Sequence, residues 1–210
     1  MKKVMMFLCV LSLFGVPCTA GAQEESNESG TIYLPKPDTK TGMPLMQALQ
    51  NRQTHREFSV RKISDQNMSE ILWAANGVNR ENGKRTIPTA RDSRDLKVYV
   101  IRQGGAFFYD PENNTLTSVN PSALIYAAAM QDYVKQADAL LVFVSNNKNH
   151  EYGAMHAGSA YQNVGLYAAS VGLNNVVLGS IDKDLLHKEL NLKDDEYVVI
   201  AQALGWPKTK

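Results

Sequence analysis

The sequence contains only two cysteines, Cys9 and Cys18, and both lie within its first 22 residues. If those residues are removed, the remaining chain has no disulfide framework, no thiolate nucleophile and no cysteine-ligated metal site. Net charge is scarce as well, with 22 basic residues against 21 acidic ones. So small a net charge does not favour a general nucleic-acid-binding protein, and small-molecule chemistry or protein contact is more plausible.

The chain also lacks an apolar run long enough to cross a membrane. Lys2 and Lys3 precede a mostly apolar run over residues 4–16, whereas a membrane-spanning helix needs about 20 residues. The sequence AGA at residues 20–22 matches a signal-peptidase site. We expect residues 1–22 to be a cleaved signal peptide and the protein to be exported to the periplasm. A lipid anchor at Cys18 is the alternative, although Pro17 stands where lipoprotein signals usually have a small residue.

What remains after cleavage is the size of one domain. Removing 22 residues from 210 leaves 188, enough to bury about 70% of the unfolded surface. Residues 23–33 begin with a polar, glutamate-rich stretch and predict a flexible leader. Residues 34–210 then form the predicted folded domain.

Helical and strand-like periodicities follow one another along this domain. A short helix is predicted from residue 43, with Leu45, Met46 and Leu49 on one side. Further helices are predicted at 64–77, 122–137, 152–171 and 184–190, and strands at 96–101, 106–110, 115–119, 137–145, 175–180 and 197–205. The helix at 152–171 is rich in alanine and glycine, which predicts burial on more than one side. Mixed helices and strands of this kind predict an α+β fold built in layers.

Familiar catalytic and metal-binding motifs do not match. His150 and His156 are six positions apart, which is not the i, i+4 spacing of ligands on a helix. We interpret the four histidines as ordinary surface or helix residues: His55, His150, His156 and His187. The stretch GVNRENGKRT at residues 77–86 departs from the GxxxxGK[ST] phosphate loop, and no GxSxG elbow occurs. The sequence therefore predicts neither a metal site nor a hydrolase triad.

The stretch NRQTHREF, residues 51–58, places Arg52, Thr54 and Arg56 at alternate positions. In an extended backbone, alternate side chains point to the same face. Two guanidinium groups flanking a hydroxyl suit an anion with several oxygens, such as a phosphate. A solvated basic turn at the edge of a helix is the alternative, and these eight residues do not decide between the two.

Three separated motifs resemble the FMN-dependent nitroreductase superfamily. They are the segment from Arg52 to Phe58, the string LWAANGVNRENGKRTIPTA at residues 72–90 and the string AYQNVGLYAASVGLNNVVLGSID at residues 160–182. The resemblance extends over residues 34–207 and is closest to the SagB-type, azoline-oxidising dehydrogenase branch. It implies a dimeric, three-layer α/β/α fold with a mainly antiparallel central sheet.

The resemblance also implies which residues bind FMN. The segment Arg52, Gln53, Thr54 and Arg56 would hold the phosphate and ribityl chain. Pro88, Thr89 and Ala90 match a loop that runs along the flavin and the partner subunit's site. Gly179 and Ser180 match a loop near the isoalloxazine ring, where a residue without Cβ lets the ring approach the main chain. The long helix that contains Gln162 and Asn163 would form the central contact of the homodimer.

Two features depart from the family pattern. Many family members have a basic pair well beyond the last strand, whereas this chain stops at Lys210. The loop TARDSRD, residues 89–95, carries two arginines and two aspartates where relatives usually have small and apolar residues. Arg91 or Arg94 would either supply the missing phosphate charge or fill the pocket.

The function implied by the resemblance is electron transfer through FMN. A donor, NAD(P)H or another reductant, would reduce the flavin and leave, and a small organic acceptor would then take the electrons in a ping-pong cycle. No protein acid or base is required, so no catalytic residue is assigned. Two alternatives are a ligand-binding protein of this fold without turnover and a dimeric interaction protein with a closed flavin site.

Overall fold

The computed structural model describes residues 30–124 and 130–208 of the chain. Four α-helices and seven β-strands occur within these residues. In chain order they are β1 (Thr31–Tyr33), α1 (Leu45–Asn51), α2 (Asp65–Asn76), β2 (Leu96–Arg102), β3 (Gly105–Asp110), β4 (Thr115–Asn120), β5 (Ala139–Ser145), α3 (His150–Val171), β6 (Asn174–Leu178), α4 (Lys183–Glu189) and β7 (Tyr197–Gly205). Two short 3₁₀ helices occupy Ala90–Asp92 and Asp132–Gln136.

All seven strands join one sheet in the order β1-β4-β3-β2-β5-β7-β6, and each neighbouring pair is antiparallel. Every residue of β5 is buried, as expected for an apolar strand covered on both faces. Strand β6 forms one edge of the sheet. That edge is where the first candidate binding segment lies.

The sheet separates two hydrophobic cores, because alternate residues of a strand point to opposite faces. Leu141 and Phe143 of β5 pack with α2 and α3 on one face. Leu140 and Val142 pack with α4 and the Asp132–Gln136 turn on the other face. The three-layer α/β/α architecture with an antiparallel central sheet is therefore confirmed.

Local signals account for the ends of the two longest helices. The Ser64 side chain accepts a hydrogen bond from Asn67 N–H at 3.2 Å and caps α2. A Cβ at residue 77 would lie 2.6 Å from the Cα of Trp73, so Gly77 permits the close turn that ends this helix. Helix α3 ends at Gly172, which has a left-handed φ of 80°. The predicted boundaries of both helices are confirmed to within two residues at either end.

The helix predicted over residues 122–137 is wrong where the structure describes it. The Asn120 side chain accepts a hydrogen bond from Ser122 N–H at 3.0 Å, so a turn forms at Pro121 instead of a helix start. The later part contains only the five-residue 3₁₀ helix Asp132–Gln136. Residues 125–129 lie outside the described part of the chain.

Two predictions concern the ends of the chain. The last residues of the predicted leader, Thr31–Tyr33, form β1, because they pair with β4 through backbone hydrogen bonds. The predicted signal peptide, both cysteines and Lys210 lie outside the described residues. Within residues 30–124 and 130–208, no helix is both long and apolar enough to span a membrane.

Candidate functional site

Residues 52–58 follow α1 and run along the edge strand β6. The backbone N–H of His55 donates to Asn175 O at 2.9 Å, and the Asn174 side chain donates to Glu57 O at 2.7 Å. Phe58 is buried and fixes the far end of the segment against the sheet. Strand contacts and a buried aromatic anchor therefore hold this irregular segment in one place.

The polar side chains of this segment are available to a ligand. Among the described residues, the side chains of Arg52, Gln53, Thr54 and Arg56 make no hydrogen bond or ion pair. Thr54 and Arg56 are exposed, while Arg52 is half-buried. The stem of Arg52 lies across α3, with its Cγ 3.6 Å from the Cβ position of Gly165. Two cationic groups without an ion-pair partner among the described residues favour an anion here.

Gly179 and Ser180 lie immediately after β6, and both are exposed. A Cβ added at Gly179 would meet no atom within 4 Å, so the protein's own packing does not require glycine there. His55 is bonded to Asn175, four positions before Gly179, which corresponds to about 13 Å along a strand. The structure therefore places Arg52, Thr54, Arg56, Gly179 and Ser180 along one edge of the sheet.

The second candidate segment, the loop at Pro88, Thr89 and Ala90, lies away from this edge. It contacts the N-terminal half of α3. Ala90 N–H donates to Nε2 of His156 at 2.8 Å. His156 and Gly165, the two points where the candidate segments contact α3, are nine residues apart, or about 14 Å along the helix. Within one chain, the first and third candidate groups therefore lie along the same sheet edge, whereas the loop at residues 88–90 contacts a different part of α3.

A buried His156–Asp95 pair holds this loop. His156 Nδ1 lies 2.9 Å from Asp95 Oδ1, and both side chains are about 5% exposed. Ser145 Oγ donates to Asp95 Oδ2 at 2.6 Å, and Ser93 donates to Asp95 Oδ1. His156 Nε2 accepts from Ala90 N–H, whereas Nδ1 has no partner with hydrogen-bond geometry within the described residues, so its contact with Asp95 is a close approach only.

The electrostatics of Asp95 fit a charged carboxylate. Burial raises the pKa of Asp95, but hydrogen bonds from Ser145 and Ser93 and the nearby His156 outweigh burial and hold that pKa below its usual value. His156 lies on a helix, as one of the two predicted alternatives stated, but it is buried and not at the surface. It is a buried residue that joins α3 to the candidate loop, and only its apolar small-residue neighbours in the sequence hinted at burial.

Arg94 has a partner within its own loop. Its Nε and Nη2 donate to the two carboxylate oxygens of Asp92 at 3.2 and 3.1 Å. The hydrogen bond from Arg94 lowers the pKa of Asp92, and the same bond raises the pKa of Arg94. Arg94 also reaches toward Gly83, whose Cβ position is 3.3 Å from Nη1. The Arg94 side chain therefore points toward residues 77–86. The Arg91 side chain is exposed to solvent.

The nitroreductase family profile matches residues 49–206, which includes all three candidate segments. The chain belongs to the nitroreductase family. A nitroreductase-type protein of Ralstonia eutropha has 34% sequence identity to the chain, with a TM-score of 0.81 over 88% of this chain and 93% of that one. The predicted family membership is thus confirmed.

One further sequence relative and two solved structures of the same fold resemble the chain. MJ1384 of Methanocaldococcus jannaschii, assigned to the nitroreductases, is 27% identical over 83% of this chain and 96% of its own length. The E. coli microcin synthetase McbBCD complex shares the fold at 18% identity, with a TM-score of 0.65 over 88% of this chain and 80% of that one. A Desulfovibrio desulfuricans protein of the family, solved in complex with FMN, shares it at 23% identity and a TM-score of 0.60 over 80% and 89%.

Proposed function

We propose that this nitroreductase-family protein is an FMN-dependent oxidoreductase. The observation that carries the proposal is that the side chains of Arg52, Thr54 and Arg56 have no partner within the described residues. Backbone and core contacts hold their segment beside β6. Two unpaired guanidinium groups on a fixed segment favour a bound phosphate, because bidentate guanidinium–phosphate bonds are strong and directional.

The residues along the sheet edge fit FMN. Arg52 and Arg56 would bind its phosphate, and Thr54 would donate to or accept from the phosphate or ribityl chain. The open space at Gly179 would let the ring approach the main chain there and at Ser180. When bound, the flavin supplies two-electron chemistry with an external donor and acceptor. The FMN complex of the Desulfovibrio relative supports this choice of cofactor.

We also propose a homodimer. The apolar side predicted for α1 faces away from the described chain, with Leu45 63%, Met46 74% and Leu49 44% exposed. Met155 on α3 is 66% exposed as well. Apolar side chains grouped on adjacent helices are typical of an interface. A partner packed on these helices would bring its own loop at residues 88–90 toward the first chain's sheet edge.

The proposal includes export and membership of the SagB-type branch. The basic start, short apolar run and AGA site at residues 1–22 support cleavage and a periplasmic location, with a lipid anchor at Cys18 as the alternative. The shared fold of the microcin synthetase complex is compatible with that branch. Nicotinamide cofactors are scarce outside the cytoplasm, so export favours a membrane or periplasmic redox partner, or the substrate itself, over NAD(P)H as the donor.

An FMN titration of the purified full chain tests the cofactor, with flavin fluorescence as the signal. We expect Arg52→Ala/Arg56→Ala to weaken binding at least about a hundredfold, because each charge-assisted hydrogen bond contributes about 1.5–3 kcal/mol. The matched control, Lys188→Ala/Lys193→Ala, removes two exposed lysines at the far end of α4 and in the turn after it. The control should bind FMN like the wild type.

The same preparation tests the enzyme assignment. Reduction of the bound flavin by a donor, followed by reoxidation with a nitroaromatic or quinone acceptor, would support an oxidoreductase. Bound flavin that no donor reduces would instead indicate the ligand-binding alternative. Equal FMN binding by wild type and Arg52→Ala/Arg56→Ala would refute the phosphate-site interpretation.

A further inference from the structure

A second basic site lies beside Pro88. Residues 77–86 and the loop at residues 88–94 enclose a cavity of about 490 Å³. Its charged lining comprises Arg80, Lys84, Arg85, Arg94 and Asp92. The size is within the range of small-molecule pockets. Four basic groups against one carboxylate make the cavity strongly positive, although the whole chain is nearly neutral.

One wall is a hairpin that the sequence did not predict. Val78 and Arg85 form an antiparallel bridge, and Asn79 N–H donates to Lys84 O at 3.1 Å. The tip turns at Gly83, which has a φ of +74°, a conformation that favours glycine. Arg80 Nη2 donates to Arg85 O at 2.8 Å, so its guanidinium is fixed across the hairpin.

The opposite wall is a loop in an unusual conformation. Arg91, Asp92 and Arg94 have positive φ angles of 55°, 53° and 48°. Non-glycine residues rarely adopt this region, and clusters of such residues occur preferentially at binding and active sites. The loop is held in place by the Ala90–His156 hydrogen bond and by Arg94 N–H donating to Thr89 Oγ1 at 3.2 Å.

The carboxylates nearby neutralise only part of the positive charge. Arg94 is paired with Asp92, and Arg85 Nη2 is paired with Glu112 Oε1 at 2.7 Å. Arg80 and Lys84 have no carboxylate partner among the described residues. The buried Nε of Arg85 likewise has no hydrogen-bond partner within the described part of the chain. Basic groups of the hairpin without a carboxylate partner, facing Arg94 across a positive cavity, suit a ligand with several anionic oxygens.

We infer that this cavity binds a small polyanion bearing phosphate or carboxylate groups, held chiefly by Arg80, Lys84 and Arg94. Pro88 and Thr89 line the cavity and also belong to the loop that the family resemblance assigns to the flavin site. The cavity would therefore bind the charged end of a substrate or electron donor. This role as a substrate subsite rests on the proposed flavin function, whereas anion binding itself does not.

Calorimetric titration of the full chain with pyrophosphate, and separately with citrate, tests the inference. Every variant carries Arg52→Ala/Arg56→Ala, so that the candidate flavin-phosphate site does not contribute to the signal. We expect that background to bind a probe, and the addition of Arg80→Ala/Lys84→Ala to weaken binding at least about tenfold. Lys188→Ala/Lys193→Ala, added instead, is matched in charge and should change binding less than about threefold.

A second variant distinguishes a loss of anion binding from a loss of the hairpin structure. Lys84→Glu leaves the Arg80 hydrogen bonds intact and should weaken binding at least as much as the double alanine variant, because it places a carboxylate in the cavity. Preference for pyrophosphate or for citrate would each support the site and would identify its chemistry as phosphate or carboxylate. No binding by the background, or equal losses in the cavity and control variants, would overturn the inference.

The anion titration and the FMN titration can fail independently of each other. FMN binding by the wild type without pyrophosphate or citrate binding by the background would refute only the anion cavity. Probe binding that depends on Arg80 and Lys84, in a protein that does not bind FMN, would retain the cavity and refute the flavin function.

Discussion

Removing the imidazole of His156 should destabilise the protein far more than removing that of His150 on the same helix. His156 is 4% exposed and accepts from Ala90 N–H through Nε2, while Nδ1 lies against the buried Asp95 carboxylate. His150 is the first residue of α3 and is exposed, although its ring stacks on Tyr197 at a centroid distance of 4.2 Å. His150→Ala is therefore a suitable control for His156→Ala.

The size of the effect follows from what His156→Ala leaves behind. A half-buried N–H that loses its acceptor costs at most about 1–3 kcal/mol, and the buried Asp95 carboxylate also loses the imidazole that lies against it. Together with the cavity left by the ring, a loss of about 3–5 kcal/mol in unfolding free energy is expected. With a urea m-value of about 2 kcal/mol per M, the unfolding midpoint should fall by about 2 M.

Urea denaturation followed by circular dichroism measures this difference. His150→Ala should shift the midpoint by no more than about 0.3 M, as exposed substitutions usually do. His156→Gln should recover part of the loss, since a side-chain amide oxygen can accept from Ala90 N–H. Equal midpoints for His156→Ala and His150→Ala would refute the structural role assigned to the buried pair.

Two further predictions concern acid stability and assembly. The folded-state pKa of Asp95 is lowered, so its contribution is present above the unfolded pKa of about 4 and is lost as pH falls through the folded value. Urea midpoints measured from about pH 6 to pH 3 should therefore decline less in Asp95→Asn than in the wild type, and parallel declines would contradict this. Met46→Glu/Met155→Glu should convert a dimer to a monomer in light scattering, because it places four carboxylates in the interface of the pair. Val60→Glu, at a residue that is 95% exposed, should not change the mass, and a wild type that is already monomeric would refute the dimer.

Most of the fold could be predicted from the sequence because its signals are local. Strand β7 matches the predicted residues 197–205, and β5 appears as a continuous apolar run because both its faces are covered. The caps at Ser64 and Gly172 are equally local. In the described part of residues 122–137 the prediction failed where the Asn120 side chain accepts from Ser122 N–H and forms a turn in place of a helix start.

The candidate site was predictable only where it consists of a short contiguous pattern. The alternating residues Arg52, Thr54 and Arg56 are visible as a pattern in the sequence. The contact between Ala90 and His156 spans 66 positions, and no local signal indicates it. The hairpin at residues 77–86 was missed because it has only one bridging residue pair, Val78 and Arg85, and therefore lacks alternating strand periodicity.

The separation of the two candidate segments along α3 links cofactor binding to assembly. Within one chain, the loop at residues 88–90 contacts α3 about 14 Å along the helix from Gly165, where the stem of Arg52 lies. If two chains pack through the exposed apolar residues of α1 and α3, the loop of one chain can approach the sheet edge of the other. The buried His156–Asp95 pair would then stabilise a wall of the neighbouring chain's site. Dimerisation and flavin binding would therefore be lost together.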